Sequence, residues 1–201
     1  MATNPKNATV TLDDFIAAAE ASEQRLEFVD GQIVAMSGAS ILHGRIAQRI
    51  TSSLDRQLEN SGCEILRDTL VAAGVADNKF VPDVIVFCGE PEYERLRGIE
   101  MMLNPVVLIE VLSPTTANYD HVTKWENYRR IPSLREYLLV SQDRPRVEQY
   151  TRQDSRFWRF SETEGRDSEI RIESLNATLS LARIYAGLRL GAAEQEEAPA
   201  E

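Results

Sequence analysis

Two acidic residues stand where acids are costly. In the segment PVVLIEVL (105–112), Val106, Leu108 and Leu112 would share one face of a strand, and Val107, Ile109 and Val111 the other. A strand apolar on both faces reads as a central strand covered on both sides. Glu110 lies inside it, and an ionised carboxylate there needs a partner or a cation. Asp83 opens a similar run, VPDVIVFC, on the face of Val81, Ile85 and Phe87. If the two strands pair antiparallel, the start of the first lies beside the end of the second, and the two carboxylates meet. Such a pair shares a proton or binds a cation, and its oxygen donors suit Mg²⁺ or Mn²⁺. The structural alternative is that Asp83 caps a turn after Pro82 and Glu110 pairs with an arginine.

Downstream of Ser113-Pro114, Asp120, Lys124 and Tyr128 recur at intervals of four on one helix face. As an isolated feature this is a surface ion pair above a packed tyrosine. Directly after the Glu110 strand, it is also an ammonium able to reach a metal site, orient a water and stabilise charge on a phosphate.

The elements that must hold these residues follow from local patterning. Thr11 to Ala21 reads as a short helix with Thr11 as N-cap and Asp14 completing a capping box. RLEFV and QIVAM flank Asp30-Gly31, a two-residue hairpin. Ser40 to Asn60 forms the longest helical pattern, with Ile46, Ile50, Leu54 and Leu58 on one face and Gly62 placed to stop it. Strands are expected at 63–70, 81–88 and 105–112, with a polar connection over 89–104. A second helix spans 118–130 and ends before Pro132. REYLLVS, PRVEQYT and SRFWRFS read as a three-stranded meander, followed by a short strand at 170–172 and a closing helix over 179–188. This order implies an α/β or α+β fold with a mixed sheet and packed helices. Residues 1–10 read as a flexible arm, 11–190 as one domain, and 191–201 as a disordered acidic tail.

Composition narrows the function classes. The chain has 201 residues, 43% apolar and 27% charged, so it can bury a sizeable core. No apolar run approaches the roughly 20 residues of a membrane span, and MATNPKNATV lacks the apolar stretch of a secretory signal; a cytoplasmic location is expected. Cys63 and Cys88 could form at most one disulfide; they lie in no zinc-type cluster and read as small buried hydrophobes. The net charge is −10, of which the tail contributes four glutamates, leaving −6 on residues 1–191. That balance opposes casual nucleic-acid binding. A nucleic-acid surface would have to come from local clusters: Arg45, Arg49 and Arg56 on the long helix, Arg129-Arg130, or Arg144, Arg146, Arg152, Arg156 and Arg159 beside Tyr150, Phe157 and Trp158. The same arginines also fit a solvated meander face. No phosphate-binding P-loop, zinc motif or GxSxG turn is present.

Taken in order, LEFVDGQIVAMSG, a helix near His43, VPDVIVF, VVLIEVLSPTT, D-x-x-x-K-x-x-x-Y and REYLLV resemble the Uma-two family, within the PD-(D/E)XK nuclease superfamily. The resemblance runs from about residue 25 to 160. It implies a restriction-endonuclease-like mixed central sheet flanked by helices, and Mg²⁺-dependent (or Mn²⁺-dependent) hydrolysis of DNA phosphodiesters. On it, Asp83 and Glu110 would be metal ligands. Lys124, displaced to the following helix because Leu112 occupies the usual lysine position, would position water or neutralise charge, with Asp120 and Tyr128 in support. Glu27 and His43 match further characteristic positions. Double-strand cleavage would call for a homodimer. A catalytically silent module of the same fold, and a hydrolase of a smaller phosphoester, are the competing readings.

Overall fold

The computed structural model describes residues 10–36, 38, 40–74 and 77–190. Residues 1–9 of the expected arm 1–10, and the expected acidic tail at 191–201, lie outside these. The first helix, Leu12–Ala21 (α1), begins with the anticipated capping box: Thr11 accepts from the Asp14 N–H while Asp14 accepts from the Thr11 backbone. The hairpin of Leu26–Val29 (β1) and Gln32–Ala35 (β2) turns on Asp30 and Gly31, whose φ values of 49° and 73° suit the tight turn between antiparallel strands. Helix Ile41–Leu58 (α2) is N-capped by Ser40.

The remaining strands are Cys63–Leu66 (β3), Leu70–Ala73 (β4), Asn78–Phe80 (β5), Val84–Cys88 (β6), Tyr93–Leu96 (β7), Ile99–Met102 (β8), Val107–Leu112 (β9), Glu136–Ser141 (β10), Arg146–Arg152 (β11), Trp158–Glu164 (β12), Glu169–Ile172 (β13) and Ala177–Ser180 (β14). They form two six-stranded mixed sheets and a small hairpin. One sheet has the order β2-β1-β5-β4-β8-β7, the other β12-β11-β10-β9-β6-β3, and β13 pairs with β14. In the second sheet β9 and β10 run parallel, while β6 and β9 run antiparallel as their role in the site required.

Both faces of β9 are covered. Val107, Ile109 and Val111 pack with Ile46, Ile50 and Leu54 of α2 and with the β13–β14 hairpin. Leu108 faces the other way, toward Tyr128, Tyr137 and Phe80. On that side lies a continuous helical stretch: Ala117–Tyr119 (α3), a π-helical segment Asp120–Lys124, and Trp125–Tyr128 (α4). The first sheet also contributes Val29, Val71 and Phe80 there, and α1 closes that sheet's outer face through Phe15 and Ile16. Leu108, Glu110 and Leu112 therefore look into the space between the two sheets.

Four expectations are corrected. Residues 89–104 are not a plain connection, because Tyr93–Leu96 and Ile99–Met102 form a hairpin that extends the first sheet. The segment 63–70 holds two strands belonging to different sheets. The closing helix shrinks to Leu181–Ile184 (α5), its expected start being strand β14. Finally, Cys63 and Cys88 are not separate thiols. The β3–β6 register sets them opposite each other, and a disulfide joins them. No helix among the described residues is long and apolar enough to cross a membrane.

Candidate active site

Val84 pairs with Ile109, and one further step in that register sets Asp83 opposite Glu110. Asp83 is fixed at both oxygens. Oδ1 meets His43 Nε2 at 2.8 Å, and Oδ2 accepts the Val111 N–H at 2.7 Å. Burial alone would raise its pKa; the His43 and Val111 hydrogen bonds, with the charges of His43 and Lys124, outweigh burial and hold it below the usual carboxylate value.

Glu110 accepts from Lys124 Nζ (2.8 Å) and Tyr128 OH (3.0 Å), both on Oε1. Lys124 is 1% exposed, and it also lies 3.3 Å from Asp120 and 3.5 Å from Glu27. Glu27 comes from the other sheet, is fully buried, and accepts the Val81 N–H (2.9 Å) and the Tyr119 hydroxyl (2.8 Å). The π-helical segment has Asp120 and Lys124 at its two ends, and both side chains turn inward. Segments of this kind are often found at functional sites.

Three carboxylates thus surround one ammonium. Burial would lower the Lys124 pKa, but Glu110, Glu27 and Asp120 together hold it well above the ordinary lysine value. Burial pushes Glu110 well up, and the charges of Asp120 and Asp83 push it further, against the pull of Lys124. Asp120 is raised for the same leading reason. Carboxylates outnumber cations here, so the cluster retains a proton more readily than free acids would.

A cavity of about 420 Å³ opens onto this cluster. Asp83, Glu110, Asp120, Lys124, His43 and Tyr119 line it, with Ser113 to Thr116 after β9, Gln142 after β10, and Val34 to Met36 of the hairpin. It sits at the carboxyl ends of the parallel pair β9–β10, the usual side for ligands in sheets with parallel strands. Glu27 does not line it: its carboxylate stands behind Lys124 and anchors that ammonium instead. The anticipated arginine partner of Glu110 is replaced by Lys124. Sequence reasoning missed Tyr119 and Gln142, whose roles depend on contacts across the fold. Tyr119, nine residues after Glu110, carried only a weak helical-position signal. Gln142, just past a strand end, carried none.

The donor set suits a hard divalent ion. Asp83 and Glu110 offer oxygens, and their excess negative charge is what a cation would neutralise. No group of three or more His, Cys, Asp or Glu side chains among the described residues has the arrangement of a metal cage. Mg²⁺ needs none, since it keeps several waters and commonly takes one or two protein carboxylates.

The arginines expected to form a nucleic-acid groove are mostly engaged elsewhere. Arg49 donates to the Ile184 carbonyl, Arg152 to the Leu134, Arg129 and Ile131 carbonyls, Arg146 pairs with Glu148 and Glu162, and Arg159 with Glu173. None of them lines the cavity; the one arginine that does, Arg25, pairs with Asp68 at 2.7 Å.

Comparison with known proteins identifies the family and the fold. The Uma2 family, described as "putative restriction endonuclease", matches residues 12–183. The chain belongs to the Uma2 family. Among its relatives are two uncharacterised proteins of Synechocystis sp. One is 32% identical over 80% of this chain and 91% of its own length, the other 30% identical over 88% and 91%. The crystal structure of a putative nuclease belonging to DUF820 from Anabaena variabilis superposes with a TM-score of 0.69. It covers 90% of this chain and 99% of that one at 19% identity, a likeness of fold. In this Uma2 protein the long helix α2 and the stretch 117–128 flank the sheet that carries Asp83 and Glu110.

Proposed function

We propose that this Uma2 protein is a Mg²⁺-dependent (or Mn²⁺-dependent) endonuclease that hydrolyses phosphodiester bonds in DNA. The observation that carries the reading is the cross-strand pair Asp83–Glu110 at a cavity, with the buried Lys124 on Glu110. The family description points the same way.

In this reading Asp83 and Glu110 hold the ion. A bound Mg²⁺ supplies the positive charge that polarises a phosphodiester and acidifies a water. His43 and the Val111 N–H orient Asp83, as groups behind metal ligands commonly do. Lys124 keeps its proton on Nζ, where it orients Glu110 and offsets negative charge building on the phosphate. Glu27, Asp120 and Tyr128 fix that ammonium and its carboxylate partner in place. A homodimer would bring two such sites to a duplex, and light scattering tests for it.

A second reading has an observation behind it. The cavity lining holds three carboxylates and few cations, which suits a smaller phosphoester better than a long polyanion. The test for both is hydrolysis of plasmid DNA beside small phosphodiesters, with and without Mg²⁺. Metal-dependent cleavage lost in Asp83→Ala and Glu110→Ala is the expected result. Cleavage unchanged in both variants overturns the site, and cleavage of small esters alone selects the second reading. Tight folding with neither metal binding nor cleavage would select a silent module.

A further inference from the structure

A phosphate entering this cavity meets a difficulty of charge. Asp83, Glu110 and Asp120 repel it, Lys124 is already shared by three carboxylates, and Arg25 is paired with Asp68. The ion would receive the phosphate under attack. Any neighbouring phosphate of the same strand needs donors elsewhere on the wall.

One such place is the wall at Gln142. Gln142 follows β10, is 7% exposed and lines the cavity. Its Oε1 accepts from Ser40 Oγ at 3.2 Å, and Ser40 Oγ accepts in turn from the His43 N–H at 3.1 Å. With Oε1 held by Ser40, the amide nitrogen is the end left over. It has no hydrogen-bond partner among the described residues and is not sealed from the cavity, so a ligand there can accept from it. Ser40 is also the N-cap of α2, an 18-residue helix whose positive end therefore lies beside Gln142. A helix N-terminus next to an unpartnered amide donor favours an anion.

We infer that the Gln142 carboxamide, backed by Ser40 at the N-terminus of α2, is a substrate-binding element that takes the phosphate adjacent to the one being hydrolysed. This rests on the phosphodiesterase reading above. The role is in binding, because Gln142 lies on a different strand end from the Asp83–Glu110 pair and engages neither carboxylate. It also gives the site a preference for a chain of phosphodiesters over an isolated ester, since the second phosphate supplies part of the affinity.

The test is titration of the ¹⁵N-labelled full chain with a short oligothymidylate, with Ca²⁺ replacing Mg²⁺ to slow turnover. The side-chain NH₂ signals of Gln142, assigned from their absence in Gln142→Leu, are expected to shift with the native oligonucleotide. They should stay in place when the adjacent phosphate is replaced by a neutral methylphosphonate. Shifts at the Val111 amide with none at Gln142 overturn this inference and leave the proposed function standing. No shift at either overturns both. Equal shifts with the methylphosphonate mean that the amide reads a base, which also overturns it. In Mg²⁺ kinetics, Gln142→Leu is expected to raise KM about tenfold with kcat little changed, the loss of one hydrogen bond to a charged group. Gln142→Glu, which adds repulsion, should raise KM further, and a fall in kcat with unchanged KM overturns the assignment.

Discussion

Replacing Lys124 by methionine removes the ammonium that lies 2.8 Å from Glu110, 3.3 Å from Asp120 and 3.5 Å from Glu27. All four side chains are at most 4% exposed, so solvent screens little of the interaction. A single pair at such distances is worth about 4 kcal/mol or more before desolvation at an effective dielectric near 20. Breaking a buried pair costs about 3–5 kcal/mol net, because the surviving charges are left uncompensated. Against a total stability of about 5–15 kcal/mol the variant stays folded but is much weakened. The loss depends on pH in a definite direction. Burial and neighbouring acids already hold the Glu110 pKa above its unfolded value, and without Lys124 it rises further. A raised carboxyl pKa contributes stability that is present at low pH and is lost as pH rises through the folded value. Denaturant melts of Lys124→Met and wild type at pH 5 and pH 8 should therefore show the larger gap at pH 8. Equal stability of the two proteins at pH 8, or a gap that widens on acidification, would refute the account of this cluster.

Three further outcomes follow from particular contacts. Tyr119→Phe deletes the hydroxyl donated to Glu27 Oε2 and should cost about 1–3 kcal/mol by denaturant melt; no measurable cost would show that this contact does not hold Glu27. Binding of Mg²⁺ should release protons, since a cation displaces those the raised pKa values of Glu110 and Asp120 retain. Calorimetry in buffers of different ionisation enthalpy reads this, and a zero proton count would contradict it. Reducing the Cys63–Cys88 bond opens a loop spanning 25 residues, worth about 3 kcal/mol by chain entropy. The melting midpoint should fall in dithiothreitol but not in a Cys63→Ser/Cys88→Ser double variant, and in a reducing cytosol the lower stability would apply.

Much of the site was legible before any fold was known, for a reason visible in β9. An acid inside PVVLIEVL is an energetic anomaly that a local pattern can reveal. The same holds for Thr11 with Asp14, for Asp30-Gly31, and for the i, i+4 spacing of Asp120 and Lys124, each of which involves residues at most four apart. The antiparallel pairing of β6 and β9 could be posed as a condition, and the register then met it.

What sequence by itself determined was therefore the main elements around the site, their buried faces, and the acids and lysine that those faces would have to accommodate. Tertiary structure alone decided their partners. Glu27 reaches Lys124 across 97 residues and from a different sheet, Tyr119 lies 92 residues from the Glu27 oxygen it donates to, and Ser40 stands 102 residues from Gln142. The disulfide likewise waited on the β3–β6 register, and the 93–102 hairpin on a sheet edge that its polar residues did not advertise. Burial periodicity is a property of neighbours along the chain, whereas register is set between segments that meet only when the core closes.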